Sequence, residues 1–255
     1  MGRSILGTKK TVRSFSREKI NQFITNNYKT DEIVISSVGN IRFNRLLRLI
    51  NKHFADIPAN TGRKNRKLLS SYSPEQHELK KRTYQTHCVI GNLAYSLKHD
   101  NRLGMYLLNN LLGGPGLSSR LNMSLREKNG YSYNTESNYT PYSDTGAFSV
   151  YFGTDKHNLD KSMNLVLKEF RKLRDVKLGI AQLTKAKRQL IGQIAISSEN
   201  YENHMLSMGK GFLVYNRVDS FPEIVKKIEN LSSAKLLEIA NEVLNERHMS
   251  YLIYN

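Results

Sequence analysis

The sequence predicts an α+β fold, an antiparallel sheet backed by helices, with a partial second copy of the same unit at the N-terminal end. Three observations lead there. Leucines at 103, 107, 108, 111 and 112 recur at helical spacing and run into Gly113-Gly114. Residues 131–139 and 145–152 alternate in character and are joined by Pro141-Tyr142-Ser143-Asp144, the pattern of an antiparallel hairpin. Ser16–Gly39 also lies over Ser232–Asn255 without a gap, cap on cap and apolar position on apolar position.

In chain order, Ser16 reads as the cap of a helix with Ile20, Phe23 and Ile24 inward, followed by a strand over 31–38. Asn40 opens a second helix with Phe43, Leu46, Leu47, Ile50 and Phe54 along one side, stopped by Asp56-Ile57-Pro58. Residues 59–82 are polar, basic and without periodicity, and read as an interdomain linker. A strand is predicted over 83–93 and a helix over 102–112, closed by Gly113-Gly114 in the left-handed region. Ser118 or Ser119 then caps a short helix carrying Leu121 and Leu125, which stops at Asn129-Gly130. After the hairpin, Leu159, Met163, Val166, Phe170 and Leu173 mark one face of a long helix. Helices from 180 to about 197 and from 201 to about 215 follow, the latter with Met205, Met208 and Phe212 inward. A last helix, from 232 to about 244, leads into a strand over 249–254. The organisation is therefore 1–58 as the end of a first domain, 59–82 as linker and 83–255 as a complete second domain.

The repeat has a consequence for the chain's start. Lys19 falls on Lys235, Ile20 on Leu236, Phe23 on Ile239, and residues 33–35 on 249–251. Since the second copy starts near 83, the first is expected to start roughly 130 residues before Met1, so that the chain opens inside its first domain.

Composition sets bounds. With 39% hydrophobic residues and a mean hydropathy of -0.52, the chain reads as a soluble protein, with the cytoplasm as the expected compartment. No apolar run reaches membrane-spanning length, and the first 25 residues lack the apolar segment of a signal peptide. The one cysteine, Cys88, excludes an internal disulfide and a cysteine zinc cluster; its apolar strand makes it a buried filler. The net charge of +17 is uneven: residues 62–82 hold seven Lys/Arg against two Glu, and 156–190 hold ten against three acids. Such patches can steer nucleic acid, anionic membranes or net-negative peptides, or can simply be solvated faces. No nucleic-acid motif accompanies the charge, so no specific nucleic-acid partner is expected.

Common catalytic signatures are absent: there is no G-x-S-x-G elbow, no P-loop and no dinucleotide-binding glycine motif. None of the seven histidines has a second histidine three or four residues away, and His77-Glu78 is the only His-Glu pair. Gly113–Gly116 (GGPG) reads either as an anion cradle or as a helix stop and tight turn.

Taken together, LLGGPGLSSRL (111–121), REKNGYSY (126–133) and DTGAFSVYFGT (144–154) resemble the C-terminal homologous domain of the M16 zinc peptidases, the family of pitrilysin, insulin-degrading enzyme and the mitochondrial processing peptidases. The resemblance covers nearly the whole chain and implies an M16 metallopeptidase-like fold. Family enzymes hold zinc with H-x-x-E-H, which this chain lacks. Zinc is therefore expected in the complete family protein and not in this chain, which would supply the substrate-binding, non-metal half of an endopeptidase acting on peptides or unfolded segments. Arg126 and Tyr133 occupy the family positions that bind the substrate backbone near the scissile carbonyl and help stabilise the oxyanion. Their local alternative is that Arg126 bonds last-turn carbonyls and Tyr133 packs in the sheet. Gly113 and Gly114 belong to the family's glycine-rich loop, which handles peptide. Implied partners are a peptide or unfolded substrate and a zinc-bearing N-terminal half or catalytic subunit, with homo-oligomers a further expectation. Two rival functions stand beside this one: a non-catalytic peptide-binding or scaffold subunit, and a basic nucleic-acid-binding protein.

Overall fold

The computed structural model describes residues 5–62, 69, 71–80 and 83–255. Along the chain, α1 (Lys9–Arg13), α2 (Arg17–Asn27) and α3 (Phe43–Phe54) precede β1 (Gln76–Leu79) and β2 (Thr86–Ala94). Next come α4 (Arg102–Gly113), a π-helical turn (Asn122–Glu127) and the hairpin of β3 (Asn134–Pro141) and β4 (Gly146–Thr154). The chain then continues as α5 (Leu159–Asp175), α6 (Ile180–Glu199), α7 (Tyr201–Tyr215), α8 (Phe221–Glu229), α9 (Ser233–Val243) and β5 (Ser250–Tyr254).

Two compact units result. One holds the described residues up to 62 together with Asn200–Val218; the other holds those from Leu69 to Glu199 together with Asp219–Asn255.

The second unit is a five-stranded sheet in the order β1-β5-β2-β4-β3, antiparallel throughout except for the parallel β1–β5 pair. β2 and β4 pair along their full length, from Thr86↔Thr154 to Ala94↔Gly146. Their period of two sends Cys88, Ile90, Phe148, Val150 and Phe152 into the core. Helices α4, α5 and α9 answer with Leu107, Leu108 and Leu112, Val166 and Phe170, and Leu236 and Ile239, all buried. Phe148 and Phe170 meet across the layers with ring centroids 6.0 Å apart. Each such side chain contributes about 1.5–3 kcal/mol by leaving water.

Two elements of this unit went unread in the sequence. β1 lies inside the segment read as linker; residues 63–68, 70, 81 and 82 of that segment lie outside the described residues. Its QHEL side chains are all exposed, so no polarity pattern announces it. The ladder to β5 holds it, with the Tyr72 hydroxyl donating to the His248 carbonyl at 3.0 Å beside it. α8 starts with a capping box between Ser220 and Glu223 and has Pro222 in its first turn, signals that the sequence does carry.

The first unit differs. α2 starts as the sequence predicts, the Ser16 hydroxyl accepting from the Lys19 N–H at 3.4 Å. Asn60 ties its far end, donating to the Thr25 and Tyr28 carbonyls at 2.8 and 2.9 Å. After a 3₁₀ turn over Thr30–Glu32, the chain runs extended with exposure alternating residue by residue from 33 to 38. The strand expected over 31–38 therefore has the period of one and no ladder among the described residues. From within the same unit, the Ser36 hydroxyl donates to the Met205 carbonyl of α7 at 3.0 Å. The inward stripes also need correction: Ile20, Phe23, Phe43, Leu47, Phe54 and Phe212 are all exposed. An apolar helix face is covered only when a second layer packs on it, and the described residues of this unit bury no side chain completely.

Candidate functional site

The π-helical turn Asn122–Glu127 anchors itself by burying Asn122, Ser124 and Leu125. Its widened hydrogen bonding shows in the Lys128 N–H, which donates to the Met123 carbonyl at 3.1 Å, and the Asn129 amide closes the turn on the Ser124 carbonyl at 2.7 Å. Gly130 then adopts φ +63, which a side chain would resist, and its N–H returns to the Arg126 carbonyl at 2.9 Å. The Tyr131 N–H donates to the Leu125 carbonyl at 2.8 Å, and the Thr154 hydroxyl donates to the Tyr131 carbonyl at 2.6 Å. This reversal joins the end of the turn, where Arg126 sits, to the start of β3, which Tyr133 immediately precedes.

Both side chains are exposed there. Tyr133 is 76% exposed and has no hydrogen-bond partner among the described residues, so the reading in which it packs in the sheet fails. The Arg126 Nε lies 3.5 Å from Glu127 Oε1, an exposed pair of small energetic weight that leaves the guanidinium free to exchange partners. Glu127 was not singled out from the sequence, although its adjacency to Arg126 is plain there.

Gly113 and Gly114 are needed for space. Gly114 has φ -64, and neither glycine is left-handed, contrary to the expected helix closure. A Cβ on Gly113 would stand 2.8 Å from the Ser137 backbone nitrogen, and one on Gly114 would stand 2.4 Å from Asn110 Oδ1. The missing Cβ of Gly113 lets the end of α4 lie directly against β3, and that of Gly114 leaves room over Asn110 where the helix stops. The Ser137 hydroxyl donates to the Asn109 carbonyl at 3.0 Å, and the Asn109 amide donates to the Ser137 carbonyl at 3.2 Å. Of the two readings of the GGPG loop, the helix stop is the one the geometry displays: α4 ends at Gly113, and the Gly114 N–H donates to the Asn110 carbonyl at 3.1 Å. At the other end of β3 the Tyr139 hydroxyl donates to the Tyr95 carbonyl at 2.7 Å, and burial pushes both phenols above their ordinary range. Tyr133, Arg126 and Gly113 are thus gathered around β3, an edge strand paired only with β4 among the described residues.

Zinc does not fit these residues. His77 pairs with Glu75 and His87 with Tyr151, each at 2.8 Å, while His99 stacks on Tyr95. Among the described residues no group of three His, Cys, Asp or Glu side chains could hold a metal ion, so no chemical step is assigned to zinc on this chain. No helix among them is long and apolar enough to cross a membrane.

The chain matches the family described as peptidase M16 inactive domain over residues 14–190. The chain belongs to that family. It is 27% identical over 253 residues to a zinc protease of Bacillus subtilis, YmxG, itself uncharacterised, and 25% identical to one of Rickettsia bellii. Each match takes in 99% of this chain and 61% of the relative, so the chain spans about three fifths of the curated relatives' length. Among solved structures, a peptidase M16 inactive domain from Pseudomonas fluorescens superposes with a TM-score of 0.89 at 19% identity, covering 99% of this chain and 60% of that one. A protease from Helicobacter pylori gives 0.82 at 18% identity, covering 98% and 62%. The M16 fold and family that the sequence motifs imply are therefore established.

Proposed function

We propose that this chain is the substrate-binding, non-metal half of an M16-type zinc endopeptidase, with a zinc-bearing half or subunit supplying the metal. Peptide binds in extended form at a sheet edge, and Arg126 and Tyr133 donate to its backbone near the bond to be cut. One observation carries this reading: Arg126 and Tyr133 stand exposed at the two ends of a tightly bonded reversal, with no structural task that would explain their side chains. A fixed cation and a phenolic donor suit a carbonyl oxygen that gains negative charge. Gly113 keeps α4 close against β3, and Gly114 lets the chain turn over Asn110, so the two shape the adjoining edge. In the first unit, residues 33–38 belong to a family domain whose remaining strands come from the zinc-bearing part.

The test pairs this chain with the zinc-bearing part and follows peptide hydrolysis beside melting temperature. Arg126→Ala and Tyr133→Phe are each expected to lower kcat/KM by about 10²–10³, the scale for one lost oxyanion donor. Their melting temperatures should stay near that of the parent. Full turnover in both variants would refute the assignment.

A further inference from the structure

We infer that a basic groove on the second unit, walled by the π-helical turn, α5 and the first half of α6, binds carboxylate-rich peptide segments. The proposal rests on the peptide-binding reading for the class of polymer and adds its charge. The groove consists of two cavities, of about 600 and 780 Å³, that share Ser118. Arg120, Lys128, Lys168, Lys172 and Lys177 line the first, with Glu169 as the one acid among the described residues. Lys185 and Arg188 line the second.

Glu169 is buried and already shared: Lys172 Nζ stands 2.5 Å from Oε1, and Arg120 Nη1 stands 3.7 Å from Oε2. Burial pulls the Arg120 guanidinium below its ordinary pKa and Glu169 opposes that pull, so a second anion nearby would be welcome. Among the described residues no carboxylate lies within ion-pair distance of Lys128, Lys168, Lys177, Lys185 or Arg188. Like charges gathered along one groove repel one another in the free protein, and an acidic ligand relieves that repulsion.

The lining also separates peptide from nucleic acid. Among the described residues no aromatic ring lines either cavity, so there is no platform on which bases could stack. Ser118, Ser124, Asn129 and Gln182 instead offer hydroxyl and amide groups that suit a peptide main chain.

Fluorescence anisotropy on the full chain tests this with three labelled probes: a glutamate-rich peptide, its glutamine counterpart and an oligo-dT strand of equal charge. The glutamate peptide should bind more tightly than the glutamine peptide by about tenfold or more at low salt, and the gap should close as salt rises. Lys128→Glu combined with Lys168→Glu should abolish the difference without lowering the melting temperature. Lys98→Glu with Lys156→Glu, an equal charge change outside the groove, should preserve it. Equal binding of the two peptides overturns the groove proposal and leaves peptide binding intact, whereas no binding of either refutes the peptide reading itself. Equal loss in both double variants means diffuse attraction, and tighter oligo-dT binding that fails in the groove variant means a nucleic-acid site; either overturns the proposal.

Discussion

The same helix occurs twice in this molecule with opposite fates. α2 and α9 are both 11 residues long, and each starts under a serine whose hydroxyl accepts from a lysine N–H three residues on. In α9, Leu236 and Ile239 are 1% and 0% exposed; at the matching positions of α2, Ile20 and Phe23 are 51% and 57% exposed. The strands behave alike: β5 is paired on both sides, by β1 and β2, while residues 33–38 are extended without a ladder among the described residues. Local sequence therefore sets the helix and its start, and burial depends on whether a sheet is present to receive the face. A pattern in sequence is a capacity for burial, realised only with a second layer.

The sharpest way to break the comparison is to truncate matched positions. Leu236→Ala and Ile239→Ala should each cost about 2–5 kcal/mol, because a closed core cannot collapse onto the gap. Ile20→Ala and Phe23→Ala should fall within about 0.5 kcal/mol, the range for side chains that already face solvent. Denaturant midpoints at constant slope measure both sets. Comparable losses at the matched sites would show that α2 is packed in solution.

An intermediate effect comes from Cys88, which sits at 0% exposure in the core of the second unit, whereas the described residues of the first unit bury no side chain completely. Burial pushes its thiol up to about 12, since the thiolate would lose its water. The folded value lies above the unfolded one, so the contribution to stability is whole below about pH 8.5 and is lost as pH rises toward the folded value. A thiol reagent at pH 8 should modify Cys88 only at the rate of global unfolding. Above pH 9, a Cys88→Ala variant should lose less stability than the parent. Rapid modification of folded protein would show that the β2 core opens locally.

How much was legible follows from the same distinction. Apolar spacing reads α5, and alternation reads the hairpin of β3 and β4, because in each the pattern and the receiving layer lie in one unit. Residues 31–38 gave the right period and the wrong element, since a ladder is a property of neighbours. β1 was invisible because its side chains are polar and exposed and its stability comes from main-chain bonds. In the site, Arg126 and Tyr133 were placed by motif, and the structure adds the reversal that joins them. Gly113 and Gly114 were singled out for a left-handed turn, but what they provide is room beside Ser137 and Asn110, a three-dimensional fact that no local pattern carries. The basic groove is legible in part: Lys168, Lys172, Lys177, Lys185 and Arg188 lie in the basic run 156–190, and the fold adds Arg120 and Lys128 beside them.

The smallest expected effect is also the most discriminating, because it changes one hydrogen bond at each of two matched places. Ser232 accepts from Lys235 at 3.1 Å and Ser16 accepts from Lys19 at 3.4 Å. Losing a serine cap costs about 1 kcal/mol when the helix is part of the cooperative structure. Ser232→Ala should therefore lower the global urea midpoint, since α9 cannot fray without opening the core that Leu236 and Ile239 close. Ser16→Ala should leave that midpoint in place, because α2 can fray alone. Its effect should appear instead as faster amide exchange at Lys19 and its neighbours, with the Lys235 amide unchanged. An equal midpoint shift from both substitutions would mean that the two units unfold as one, and the contrast between α2 and α9 would then be one of exposure without being one of stability.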